Sequence, residues 1–179
     1  MIKKFLFYLE ILKSDIPLYV YECLLLIFVV VAILFVALKR KRAGRGIILL
    51  IFVEYLSLIY CTTVFFRSAH DVGAYNVRPF WSYDRPELIV PNIMNVLVFI
   101  PTGFLLGFLV RNIKWWAVML IGVIISVSIE LLQFCLKSGF SEFDDVMHNS
   151  TGCLLGYGLY CMLAWAIRKF KQIARDDCT

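Results

Sequence analysis

Charge is scarce in this chain. Asp, Glu, Lys and Arg make up 17% of its 179 residues, against about a quarter in soluble domains, which excludes a solvated globular surface of ordinary extent. No Gly/Ser/Pro-rich stretch is long enough to act as a linker, so two independently folding units are excluded as well. HExxH, a phosphate-binding glycine loop and CxxC spacing are missing, as is any Ser–His or Cys–His pair placed for nucleophilic catalysis. The six cysteines, Cys23, Cys61, Cys135, Cys153, Cys161 and Cys178, lie in or beside apolar runs. They read as small apolar fillers rather than metal ligands.

What is abundant is apolar sequence. The chain is 61% hydrophobic with a mean hydropathy of +0.83, the composition of an integral membrane protein. Five runs approach the ~20 residues needed to cross a hydrocarbon core about 30 Å thick: Pro17–Leu38, Gly46–Phe66, Pro91–Val110, Trp115–Leu136 and Asp145–Ile167. The expected fold is therefore all-α, a polytopic membrane helix bundle of about five transmembrane helices. Residues 1–16 precede it. Their positive charges before an apolar stretch mimic a signal peptide, but Glu10, Lys13 and Asp15 interrupt the stretch and no cleavage-site pattern follows. A retained interfacial helix, with Phe5, Leu6, Leu9 and Leu12 on one side, is expected there. Residues 168–179 form a basic tail.

The net charge of +5 does not point to nucleic acid. The 18 Lys and Arg residues sit in short clusters flanking apolar runs, with no basic stripe or interleaved aromatic face. They act as topology determinants. Lys39, Arg40, Lys41, Arg42 and Arg45 in the first loop, Arg111 and Lys114 in the third, and the tail itself are expected on the cytoplasmic side. The loop from Arg67 to Val90 balances its charges, and the one after Leu136 is mostly acidic, so both should face outward with the N-terminus. On this reading Asn76, Asn92, Asn95, Glu130, Gln133, Asp145, His148 and Asn149 all fall in or near the outer half.

Helical spacing groups these residues. Ser126, Glu130 and Gln133 share one face of the fourth run, as do Asp145, Asn149, Gly152 and Gly156 of the fifth. The last two form a small-xxx-small patch suited to close helix approach. In the third run Asn92, Asn95, Phe99, Gly103 and Gly107 make a similar stripe, interrupted by Pro101, whose missing N–H should kink the helix. Glu130 is the most informative residue, since a charge at the bilayer centre costs roughly 2.5–3.5 kcal/mol on insertion scales. Either it snorkels to the headgroups, or it faces the bundle interior and pairs there, with Arg67 and Arg78 as candidate partners. Asp144, Asp145 and His148 have metal-compatible donor atoms, yet one histidine among acids is a weak signature and helix capping by Asp144 or Asp145 is the commoner use. No metal and no cofactor is expected. The aromatic loop around Phe80 is either an interfacial belt or a cover over the polar residues.

Four ordered motifs resemble the VanZ-like family of small bacterial membrane proteins. Asn76–Val77–Arg78–Pro79–Phe80 is similar to its N-x-x-P-F, and Asn92 to Gly103 stands in the place of N-x-x-x-F-I-P-x-G. Glu130–Leu131–Leu132–Gln133 corresponds to E-x-x-Q, and Asp144 to Gly152 to D-D-x-x-x-N-x-x-G. The similarity spans Tyr75 to Gly158, which makes residues 67–167 a VanZ-like core behind two N-terminal transmembrane helices, 17–66, whose role is not transferred. Several family members have isoleucine or threonine at the position of His148, which weakens a histidine-based catalytic scheme. The resemblance implies a cell-envelope role, typically lowered susceptibility to glycopeptide antibiotics such as teicoplanin. The partners expected are membrane lipids, with a lipid-linked wall precursor or an acylated glycopeptide as the ligand bound at the outer leaflet without being turned over. The expected ligand pocket comprises Asn76, Pro79, Phe80, Asn95, Glu130, Gln133, Asp144, Asp145 and Asn149. The alternative is an intramembrane enzyme using Glu130 or Asp145 as acid/base on a lipid headgroup, and a small transporter has least support because no internal repeat is visible.

Overall fold

A computed structural model describes residues 41–65 and 75–176. The interfacial helix expected over 1–16, the crossing expected over Pro17–Leu38, and Arg67 lie outside the described residues. Within them, α1 (Lys41–Tyr60) runs on into a π-helical turn, Cys61–Phe65. A two-residue strand β1 (Tyr75–Asn76) and short 3-10 turns at Trp81–Asp84 and Pro86–Leu88 lead to α2 (Ile89–Leu109). Then come α3 (Trp115–Leu136), a second short strand β2 (Ser141–Glu142) and α4 (Phe143–Asp176). Four segments, Gly44–Phe65, Pro86–Leu109, Trp115–Leu136 and Phe143–Arg175, are long and apolar enough to span a membrane. The protein is an all-α polytopic membrane bundle. Helix α4 outruns the apolar stretch that announced it at both ends, because the Ala, Arg, Lys and Gln residues after Ile167 are good helix formers and need not be apolar to continue it.

Glycine decides how the helices meet. A Cβ placed on Gly103 of α2 would overlap the Cys153 carbonyl of α4. On α4, Cβ atoms at Gly152 and Gly156 would overlap the Val96 and Ile100 carbonyls of α2. The two backbones therefore lie in direct contact, an approach that only small residues allow and that lipid-embedded helices use in place of a hydrophobic driving force. Gly122 of α3 gives the Cys153 side chain its space, with Sγ 3.0 Å from where a Cβ would stand. Cys153 is fully buried among Val118, Ile125, Ile129 and Phe99, the filler role its setting predicts.

Polar fasteners hold α1 to this core. The Tyr55 hydroxyl donates to the Val98 carbonyl at 2.6 Å, beside the Leu97 carbonyl whose helical donor Pro101 lacks. Helix α2 stays helical through Pro101. Higher on α1, Tyr60 hydrogen-bonds Ser128 of α3. The π-turn directs Thr62 and Thr63 hydroxyls onto the Leu58 and Ile59 carbonyls.

Candidate functional site

Both connections on the far side of the bundle from the α2–α3 turn are tied together. Strands β1 and β2 pair in parallel, Tyr75 opposite Ser141 and Asn76 opposite Glu142. This small bridge brings the 75–88 loop to the start of α4. The Asn76 side chain turns back to accept the Arg78 amide at 2.9 Å, closing an Asx-type turn. Two residues on, Phe80 sits in the left-handed region with φ 62° and ψ 14°, a conformation that costs a non-glycine residue about 1–3 kcal/mol and persists only where surroundings impose it.

Asp144 imposes it. Its Oδ1 accepts the Phe80 amide at 2.7 Å, and its Oδ2 accepts both the amide and the hydroxyl of Ser82, at 3.0 and 2.6 Å. Ser82 in turn accepts from Asn92 at the start of α2, at 3.0 Å. Asp144 and Ser82 are both 0% exposed. Charge-assisted bonds of this kind are roughly twice as strong as neutral ones, so one carboxylate holds the loop, α2 and α4 in register. The sequence leaves Asp144 as a helix cap or pocket residue; in the structure it clamps the loop. A further tie joins Tyr83 to Nε2 of His148 at 3.0 Å, which places the histidine under the loop as a buried partner of a tyrosine.

The remaining acids and amides lie beneath this cover. Glu130, 6% exposed, accepts the Glu142 amide at 2.9 Å, and the Asp145 carboxylate is within electrostatic reach of it. Asn95 donates to Asp145 at 2.7 Å, joining α2 to α4. Asn149 donates to Ser126 at 2.8 Å, joining α4 to α3. Gln133 donates to the Thr63 carbonyl at 2.9 Å, joining α3 to the π-turn that ends α1. Buried acceptors remain unused on two of these side chains, Oε1 of Gln133 and Oδ1 of Asn149, and Nδ1 of His148 is likewise without a partner among the described residues.

The expected residues thus come to one end of the molecule but divide their work. Glu130 and Asn149 are buried, Asp145 and Asn95 are half-buried, Gln133 points toward α1, and Asp144 toward the loop. Pro79 and the ring of Phe80 are exposed, the latter 57%, while Asn76 is half-buried beside Glu142. Of the two arginines proposed as partners for Glu130, Arg78 is exposed and Arg67 lies outside the described residues. Ser82 escaped sequence reasoning entirely, since a lone serine in an aromatic loop has no spacing to betray it. Among the described residues no three His, Cys, Asp or Glu side chains are placed to hold a metal ion. Two apolar grooves of about 370 and 450 Å³ follow α1, one along Val53, Tyr60 and Phe65 and the other along Leu49, Phe52 and Leu106. Neither is lined by the acids and amides.

A stretch of the chain is 34% identical over 68 residues to Protein VanZ of Enterococcus faecium, covering 38% of this chain and 42% of that one. The match therefore spans about two-fifths of the relative's length. No solved structure matches. The profile of the VanZ/LLP1 family matches residues 18–165, beginning well upstream of the motifs at Asn76 and taking in α1, α2 and α3 and the part of α4 up to Trp165. This chain belongs to the VanZ/LLP1 family of multi-pass membrane proteins.

Proposed function

We propose that this protein binds the polar end of an amphiphile at the outer face of a bacterial cell membrane, without turning it over, and so lowers susceptibility to glycopeptide antibiotics. The ligand class is a lipid-linked wall precursor or an acylated glycopeptide. One observation carries the reading: acids and amides from α2, α3 and α4 meet beneath a loop whose Tyr75, Val77, Phe80 and Tyr83 side chains stay exposed. An amphiphile has the two matching parts, an apolar chain for the exposed rim and hydrogen-bond donors for the acceptors below it. Peptide and sugar donors would compete with the Glu142 amide for Glu130 and with Asn95 for Asp145, and would find Gln133 Oε1 and Asn149 Oδ1 unused. The basic residues at the opposite end support an outward orientation for this one. The test is Glu130→Gln, which keeps an acceptor for the Glu142 amide. Normal expression with loss of protection against teicoplanin supports the reading, and full protection by a well-expressed variant refutes it.

The proximity of Glu130 and Asp145 also favours a second reading, in which one of the pair serves as general base on a lipid headgroup. Incubation of the purified protein with labelled envelope lipids separates the two. A new product identifies a catalyst, and saturable retention of unchanged lipid identifies a binder.

A further inference from the structure

The opposite end of the molecule has chemistry of its own. Helix α4 has 34 residues, which at 1.5 Å per residue is about 51 Å, against a hydrocarbon core of about 30 Å. If its loop-bound start lies at one interface, about 20 Å of helix continues beyond the other. This extension is not uniformly polar. Leu163, Ile167, Phe170 and Ala174 follow one another at steps of four, three and four, while Arg168, Lys171 and Arg175 repeat at three and four along a flank about 100° round the helix from them. Phe170 is 73% exposed and Ile173 48%, and no described element packs over them.

The charge here is one-sided too. Between Asp145 and Asp176 the helix has no acidic residue, so Arg168, Lys169 and Lys171 lack a carboxylate three or four positions away to neutralise them. Lys169 instead sits 5.1 Å from the Trp165 ring, and Arg168 donates back to the Ala164 carbonyl at 3.1 Å. Arg111 and Lys114 of the α2–α3 turn and Arg45 of α1, all exposed, add to the same end. We infer that the extension of α4 over residues 163–175 is a docking surface for anionic phospholipid headgroups. Its apolar stripe enters the boundary between headgroups and acyl chains, and its basic side takes up lipid phosphates. Two features favour lipid over protein as occupant. The extension continues a membrane-spanning helix without a break, so it begins at the headgroup layer. The pairing of an apolar stripe with unneutralised Lys and Arg is also the pattern that binds acidic bilayers.

The experiment is backbone hydrogen exchange on the full-length protein in nanodiscs of zwitterionic lipid alone and of the same lipid with a minor fraction of phosphatidylglycerol. Amides of residues 167–175 should exchange at least about tenfold more slowly in the anionic discs, and the difference should vanish at about 1 M salt, where screening reaches 3 Å. The triple variant Arg168→Gln/Lys171→Gln/Arg175→Gln, confined to exposed positions, should abolish the difference without altering exchange in α2 and α3. Equal exchange of the wild type in both discs overturns the inference and leaves the stripe to a protein partner. An undiminished difference in the triple variant overturns the role given to these cations.

Discussion

Ser82 gives both of its donors to one oxygen of Asp144. The amide and the hydroxyl reach Oδ2 at 3.0 and 2.6 Å across 62 residues of sequence. With both residues fully buried, the carboxylate has no water to fall back on, and each missing bond would expose a desolvated charge.

Replacement of Asp144 should therefore be among the most damaging changes in this part of the molecule. Asp144→Ala leaves the Phe80 and Ser82 amides and the Ser82 hydroxyl without their acceptor, a loss expected to exceed about 3 kcal/mol. Ser82→Ala removes one donor to Asp144 and the acceptor for Asn92 and should cost about 1–2 kcal/mol. Chymotrypsin gives a direct reading, because Phe80 and Tyr83 are exposed on the loop that Asp144 restrains and neither is followed by proline. Cleavage there should accelerate in the order wild type, Ser82→Ala, Asp144→Ala; unchanged cleavage in Asp144→Ala would show that something else secures the loop.

The helix contact makes a second expectation with an internal control. Gly156→Ala puts a methyl group into the Ile100 carbonyl of α2, whereas Gly158, two residues on, has nothing within 4 Å. Overpacking of this kind costs about 1–3 kcal/mol or more when the obstacle is backbone. Gly158→Ala should be neutral or gain a few tenths through helix propensity, of which alanine has about 1 kcal/mol more than glycine. Thermal unfolding of both variants in one detergent compares them, and equal midpoints would contradict the close approach of α2 and α4.

Gln133 binds α1 rather than lying idle in the polar cluster. Gln133→Leu removes the donor to the Thr63 carbonyl and should cost about 0.6–2 kcal/mol, the range of interhelical hydrogen bonds in membranes. Amide exchange at Cys61–Phe65 should rise while exchange in α4 stays as it was. A rise spread evenly over the bundle would mean that Gln133 supports the fold as a whole instead of this one turn.

At Glu130, folding and function should separate. Glu130→Gln still offers an oxygen to the Glu142 amide and should unfold within about 1 kcal/mol of wild type, whereas Glu130→Ala orphans that amide and should lose about 1–3 kcal/mol. Both should fail to protect if the carboxylate contacts ligand. A protective Glu130→Gln would reduce the residue to a fastener of β2.

The membrane class, three of the four described spans to within about five residues, the start of the fourth, and the helix faces on which small and polar residues gather were all legible in the sequence. These follow from hydropathy and from the 3.6-residue period, both properties of a segment taken alone. It also placed the polar residues at one end, because short loops between spans must alternate sides. Which polar groups meet was settled only by tertiary structure. Asp145 and Asn149 share a face of α4, yet one pairs with Asn95 of α2 and the other with Ser126 of α3. Asp144 turns to Ser82 through a left-handed residue at Phe80 that no propensity would choose. Hydrogen bonds between elements depend on how far apart two backbones come to rest. Here that distance is set by Gly103, Gly152 and Gly156 acting on a neighbour that the local sequence cannot identify.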